Sequence, residues 1–246
     1  MDIQNGLPED GTLLLNGDND MIRKHLSYVK KPYEFYGFAP DCTYRAENIQ
    51  VQGSQTFFRF CYKETAEDIL LNVLGDHNVS NALAAIAIGL KYQVPMEAIK
   101  TQLSTFSGQR QTIIHSHGYT IIDDSYNASP DSMKASLKIL SNYKSGGRKI
   151  AVLSDMLELG EKAPEYHREV GRFLASTDVT DLYVTGELSK EYIAEASSIK
   201  PSIRTKHFES NGDLIRFLEE FLSAEDVLLV KASNGMKLKE VSDALA

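Results

Sequence analysis

No phosphate-binding loop of the Gly-x-x-x-x-Gly-Lys-Ser/Thr type occurs anywhere in these 246 residues, so the chain carries no P-loop with which to cradle a nucleoside triphosphate. Nor does a Gly-x-Gly-x-x-Gly follow any strand-like stretch, which disfavours a dinucleotide-dependent oxidoreductase. Only two cysteines are present, Cys42 and Cys61, and their spacing fits no metal site. They read as reduced thiols in a cytosolic protein, with a disulfide between them as the alternative. His115 and His117 flank a turn at Gly118 without a third ligand nearby, so a metal site there is disfavoured. No apolar run approaches membrane-spanning length, and the N-terminus lacks a charged-then-apolar leader; a cytoplasmic location and no membrane association are expected. Basic residues are few and scattered, 26 against 34 acidic for a net charge of −8, which argues against nucleic acid as a partner. One small anionic ligand needs only a few local cations and stays open.

What is present is a soluble composition, 42% hydrophobic and 24% charged, long enough for two domains. The polar start, Met1 to Pro8, reads as a connector feeding a strand. Strands are expected at Thr12–Asn16, Tyr33–Phe38, Thr43–Gln52, Gln55–Tyr62 and Asp68–Leu74, with a short helix over Met21–Tyr28 and a hairpin turn at Gly53-Ser54. From Asn78 the period lengthens: Val79, Leu83, Ile86 and Leu90 form one helical stripe, and a second helix starts at Pro95. After Phe106-Ser107-Gly108 strands and amphipathic segments alternate. Strands are expected at Tyr119–Asp123, Lys149–Leu153, Asp181–Thr185, Ile203–Phe208 and Asp226–Lys231, with helices at Pro130–Leu140, Pro164–Leu174, Glu187–Ala196, Gly212–Leu222 and Met236–Ala244. Such alternation predicts an α/β, doubly wound, mostly parallel sheet, with a domain boundary near residue 107.

Chemistry concentrates in a few segments. Gly75 to Asn81 opens a helix, and helix N-termini offer free N–H groups and partial positive charge to a nucleotide. Asn78 and Asn81 lie three apart on one face, and a carboxamide, donor and acceptor at once, suits the edge of adenine. Alternatively Asn78 is the helix cap and Asn81 a solvated first-turn residue. In Asp123 to Met133, Ser129-Pro130-Asp131 reads as cap, N1 proline and first-turn acid. That leaves Asp124, Ser125, Tyr126 and Asn127, more polar groups than a turn needs, on a strand-to-helix loop where α/β sheets bind ligands. An acid there can hold ribose hydroxyls, and Tyr126 can stack or donate. Arg110, beside the boundary, either reaches a nucleotide phosphate with its planar fork or is a solvated linker residue. Leu153 to Gly160, with Asp155 and Glu158, either helps hold an amine or simply connects elements. Lys231, Ser233 and Asn234 end the last strand on the same rim and are expected to face an anionic or carboxylate substrate.

Four segments, Gly75 to Ala85, Asp123 to Met133, Ile150 to Gly160 and Leu229 to Met236, resemble the Mur ligase family in order along nearly the whole chain. The Asp-Asp-Ser-Tyr-Asn-Ala and Asp-Met-Leu-Glu-Leu-Gly stretches are most like members that add D-alanyl-D-alanine to UDP-N-acetylmuramoyl-tripeptide in peptidoglycan synthesis. His-Asn-x-x-Asn is shared more widely. The resemblance implies that residues 1–107 are the C-terminal half of a central ATP-binding domain and 108–246 a Rossmann-like C-terminal domain. It implies ATP and magnesium as cofactors, and ATP, D-alanyl-D-alanine and a UDP-sugar peptide as the small-molecule partners of a monomer. By matching position Asn78 and Asn81 would contact adenine, Arg110 the phosphates and Asp124 the ribose, with Tyr126 and Asn127 completing that loop. Asp155, Lys231, Ser233 and Asn234 would serve the dipeptide. Ser154 stands where glycine is usual, and Ser129 where asparagine is common. The family's phosphate loop, modified lysine, magnesium ligands and UDP-sugar domain are expected upstream of Met1, so the chain alone is expected to fold without ligating. Two alternatives stand beside this one: a Mur-type ligase for another amine, and a non-catalytic nucleotide-binding or regulatory module of the same fold.

Overall fold

A computed structural model describes residues 2–106 and 112–246, and the chain divides into two compact units, 1–107 and 108–246. Arg110 lies outside the described residues.

The first unit contains β1 (Leu13–Asn16), α1 (Asp20–Lys24), β2 (Tyr33–Gly37), β3 (Tyr44–Gln52), β4 (Gln55–Tyr62), β5 (Thr65–Leu71), α2 (Asp76–Lys91) and α3 (Met96–Thr105). Its strands run in sequence order across one sheet, β1 to β3 parallel and β3 to β5 antiparallel. Alternation along β4 explains the core. Thr56, Phe58 and Phe60 point inward, and the two phenylalanines join Val79, Leu83 and Ile86 of α2 in one apolar cluster. The β3–β4 hairpin turns at Gly53-Ser54, with Gly53 at φ +59°, a conformation that glycine adopts without strain. The helix expected over Met21–Tyr28 divides into α1 and a separate 3₁₀ turn at Leu26–Tyr28. Both cysteines are free, which removes the disulfide alternative.

The second unit runs β6 (Thr112–Ser116), β7 (Tyr119–Asp123), α4 (Pro130–Asn142), β8 (Lys149–Leu153), α5 (Ala163–Ala175), β9 (Asp181–Thr185), α6 (Lys190–Ile199), β10 (Arg204–Phe208), α7 (Asn211–Phe221), β11 (Val227–Lys231) and α8 (Lys239–Leu245). Strand order is β10-β9-β8-β11-β7-β6, all parallel except β6 against β7. Helices α7 and α8 cover one face, where Leu214, Leu218, Val241 and Leu245 meet Ile150, Val152, Leu228 and Val230. Alternate strand residues, Ala151, Leu153 and Leu229, are equally buried, and α4 packs on β8 and β11 and against α5, which packs on α6. A parallel sheet buried on both faces needs such unbroken apolar strands. Strand β6 departs from the expectation, which saw only a turn near His117. The turn is real, with His117 at φ +48° and Gly118 at +88°, but this primed geometry joins two strands rather than ending one.

Candidate functional site

Three strand ends stand side by side: β8, β11 and β7 are neighbours in the sheet. The chain runs from β7 to β8, continues outward to β9 and β10, then returns to insert β11 between the first two. The loops after β7, β8 and β11 therefore converge at a reversal of strand order, the position where open α/β sheets bind ligands.

The loop after β7 is organised by two adjacent aspartates. Asp123 Oδ1 accepts from the Ser125 amide (3.1 Å) and hydroxyl (2.6 Å), while its Oδ2 accepts from Lys239 Nζ at 2.9 Å. This turns the chain sharply and leaves Tyr126 and Asn127 exposed, Tyr126 at 54%. Asp124 Oδ2 accepts from Ser136 Oγ (2.5 Å) and Lys231 Nζ (2.8 Å); Oδ1 takes no partner among the described residues. Ser129 caps α4 in a reciprocal pair with Ser132, with Pro130 following it, so the helix start is explained without a ligand.

Lys231 corrects an expectation. Its spacing places it on the rim facing substrate, yet its side chain is only 2% exposed. The ammonium donates inward to Asp124 and to the Asn127 carbonyl, 2.9 Å away. A lone buried cation is costly, so the end of β11 is stable only with such partners. Lys231 is a post under the aspartate loop. Two residues on, Ser233 is buried too, and its hydroxyl accepts from the Leu157 amide at 2.9 Å. Of the expected trio, Asn234 alone is exposed.

The loop after β8 is tied from several sides. Asp155 is buried, and its Oδ1 accepts from the Ser189 amide at the start of α6 (2.8 Å). Gly186 makes that approach possible. It sits at φ +97°, and a Cβ there would fall 2.5 Å from Asp155 Oδ1. Ser154 Oγ donates to the Thr185 carbonyl (2.6 Å), and Tyr192 OH to the Ser154 carbonyl (3.2 Å). His167 Nε2 accepts from the Met156 amide at 3.0 Å. Burial pushes the His167 imidazole below its ordinary value, against the raising pull of the Ala163 carbonyl, Asp155 and Glu191. Sequence reading missed His167, Tyr192, Ser136 and Lys239, all polar groups on helices; a histidine on the apolar stripe of α5 was the one available signal.

In the first unit, α2 starts two residues before the expected position. Gly75, at φ +100°, is its cap, so Asn78 is not. Asn78 instead sits in the first turn and donates from Nδ2 to the Leu74 carbonyl at 2.7 Å. Asn81, one turn further, is exposed and has no side-chain partner among the described residues.

Fold and loops together define an α/β protein whose mostly parallel sheet gathers three polar loops at its carboxyl strand ends. The chain belongs to the Mur ligase family: residues 109–234 match the Mur ligase glutamate ligase domain and residues 1–89 the Mur ligase middle domain. It is similar to the UDP-N-acetylmuramoyl-tripeptide–D-alanyl-D-alanine ligases of Bacillus subtilis (strain 168), 34% identical over 98% of this chain and 52% of that protein, and of Escherichia coli (strain K12), 30% identical over 99% and 54%. Among solved structures, MurF from Acinetobacter baumannii superposes with a TM-score of 0.85 at 23% identity, over 99% of this chain and 53% of that one. MurF from Thermotoga maritima in complex with ADP gives 0.78 at 23%, over 96% and 53%. The chain thus spans about half the length of the relatives it matches. No helix among the described residues is long and apolar enough to cross a membrane.

Proposed function

We propose that this chain is the C-terminal portion of an ATP-dependent ligase that joins D-alanyl-D-alanine to UDP-N-acetylmuramoyl-tripeptide in peptidoglycan synthesis. The observation that carries the reading is the 34% identity to the Bacillus subtilis ligase along 98% of the chain, which includes all three rim loops. A carboxylate is a poor acyl donor, so such a reaction first makes an acyl phosphate, which the neutral amine of the dipeptide then attacks as phosphate leaves. Positioning dominates both steps, and holding amine and acyl group together contributes roughly 7–11 kcal/mol.

In this reading residues 1–107 are the C-terminal half of the central ATP-binding domain and 108–246 the Rossmann-like domain that presents the amine. Asn78 and Asn81 meet adenine through the oxygen and amide groups that α2 leaves available, and Arg110 reaches the phosphates. The uncommitted Oδ1 of Asp124 takes a ribose hydroxyl, with Tyr126 and Asn127 beside it. Asp155 and Asn234 serve the dipeptide directly, while Lys231 and Ser233 shape the loops that carry them. Among the described residues no three His, Cys, Asp or Glu side chains gather in a group that could hold a magnesium ion. The enzyme is taken to be a cytoplasmic monomer.

The 246 residues contain no phosphate loop, so ligation is expected to need one from outside them. ADP release with UDP-sugar tripeptide and a panel of amines tests this, first on the chain alone and then on its fusion to the remaining half of the Bacillus subtilis ligase. Silence alone and D-alanyl-D-alanine-dependent release from the fusion are expected. Release from the chain alone, or a fusion that favours another amine, overturns the reading.

A further inference from the structure

We infer that His167 is a positioning residue for the loop after β8: stacked on Tyr192, its neutral imidazole holds Ser154–Gly160 in the posture that places Asp155 on the rim, and acid releases that hold. The functional consequence rests on reading this loop as the amine side of the ligase site; the hold itself does not.

Both ring nitrogens face backbone groups of fixed character. Nδ1 lies 2.7 Å from the Ala163 carbonyl, which can only accept, so Nδ1 carries the proton. Nε2 lies 3.0 Å from the Met156 amide, which can only donate, so Nε2 carries the lone pair. A proton added at Nε2 would set two donors against each other and orphan the Met156 N–H. The ring is fully buried, with both nitrogens engaged. Tyr192, also fully buried, stacks on it at 4.8 Å and donates its hydroxyl to the Ser154 carbonyl. One aromatic pair therefore grips the loop at residues 154 and 156, on either side of Asp155.

The loop has reason to need the grip. It passes through left-handed backbone at Glu158 (φ +62°) and Gly160 (φ +61°), a conformation that a non-glycine residue adopts at a cost. Its other ties are to the Thr185 and Lys231 carbonyls at Ser154, to the Ser189 amide at Asp155, and to the Ser233 amide and hydroxyl at Asp155 and Leu157. The charges facing the imidazole are Asp155 on the loop and Glu191 on α6, both favouring a proton, and Glu191 is engaged by Arg168 at 2.7 Å. Burial opposes them and prevails. The unfolded or released histidine therefore takes up a proton more readily than the gripped one, and the hold is complete above pH about 6.5 and weakens as pH falls below it.

Long-range ¹H–¹⁵N spectra of the chain at neutral pH should show His167 protonated on Nδ1 alone, and hydrogen exchange at Met156 should rise as that ring titrates. His167→Phe keeps the ring and removes the acceptor. Exchange at Met156–Leu159 should then increase about tenfold, the worth of one buried hydrogen bond, with Val152 and Leu229 unchanged. His167→Gln, whose carboxamide oxygen can accept, should recover part of the protection. In the fusion described above, His167→Phe should raise KM for D-alanyl-D-alanine severalfold and leave KM for ATP alone. An Nε2–H tautomer in the native chain overturns the inference, as does exchange in His167→Phe that is unchanged or rises evenly across the unit. A native fusion that ignores the dipeptide fails the ligase reading, while the exchange data still decide the role of His167.

Discussion

The two ends of the six-stranded sheet handle buried charge differently. At the amino end Asp226 is gripped by Arg148 at 2.5 and 3.0 Å, and Asp181 by Arg204 at 2.8 Å and by the Tyr183 hydroxyl at 2.8 Å. Arg148 also lies over the Phe221 ring at 3.9 Å. Both oxygens of each carboxylate are consumed, and planar guanidinium forks suit that purpose. At the carboxyl end Asp123 also uses both oxygens, but among the described residues Asp124 meets a lysine and a serine through one oxygen only, and the Asp155 carboxylate accepts from a single backbone amide. One end is closed upon itself; the other is held firmly with valences to spare. Surplus hydrogen-bonding capacity held in place by buried posts, rather than charge as such, distinguishes a binding rim from a structural lock.

The sharpest way to break the comparison is to remove a post. Lys231→Met leaves Asp124 partly buried without its cation, and the expected cost is about 3–5 kcal/mol in urea unfolding of the second unit, with nucleotide binding by the fusion lost as well. Asp226→Ala strands Arg148 at the other end. Its expected cost is about 3 kcal/mol, yet the folded fraction should bind ADP with native affinity. If Asp226→Ala weakens ADP as Lys231→Met does, the division of labour between the ends is wrong.

Acid sharpens the same contrast. Burial alone would raise the Asp226 carboxyl, but the Arg148 side chain and the Arg148 and Ser223 amides outweigh it and hold the carboxyl below its usual range. Its stabilising contribution is present above pH about 3.9 and fades as pH falls through the lowered folded value. His167, depressed by burial, gives way first. On acidification, amide exchange in the loop after β8 should rise below pH about 6.5, well before circular dichroism reports any global loss. Simultaneous transitions would show the two ends to be one cooperative lock.

Much of the fold was legible because burial on both faces writes itself as unbroken apolar strands: Ile150 to Leu153 and Val227 to Val230 could hardly lie elsewhere. Strand β6 was not, because a short edge strand with exposed Thr112 and His115 shows little contrast, and its partner is revealed only by the turn. The rim loops were visible as polar groups in excess of what turns require. Their wiring was not. Asp124 and Lys231 are 107 residues apart, and a lysine at a strand end looks solvated until the fold closes a carboxylate over it. Asn78 misled for a local reason: Gly75 can cap a helix through its backbone alone, so the first polar side chain is not always the cap.

The smallest effect tests the rim itself. Asn234 is exposed, begins a short 3₁₀ turn, and takes no side-chain partner among the described residues. Nothing in the folded chain depends on its carboxamide, so Asn234→Ala should change stability by no more than about 0.5 kcal/mol, as surface substitutions do. If the rim is built for a ligand, the same substitution should still raise KM for D-alanyl-D-alanine in the fusion, by about tenfold for one lost polar contact. Lys144→Ala between α4 and β8, an exposed cation outside the rim loops, is the matched control and should alter neither quantity appreciably. Equal silence from both variants would mean that spare hydrogen-bonding capacity at Asn234 is ordinary surface, and that of the proposed pair Asp155 alone reads the dipeptide.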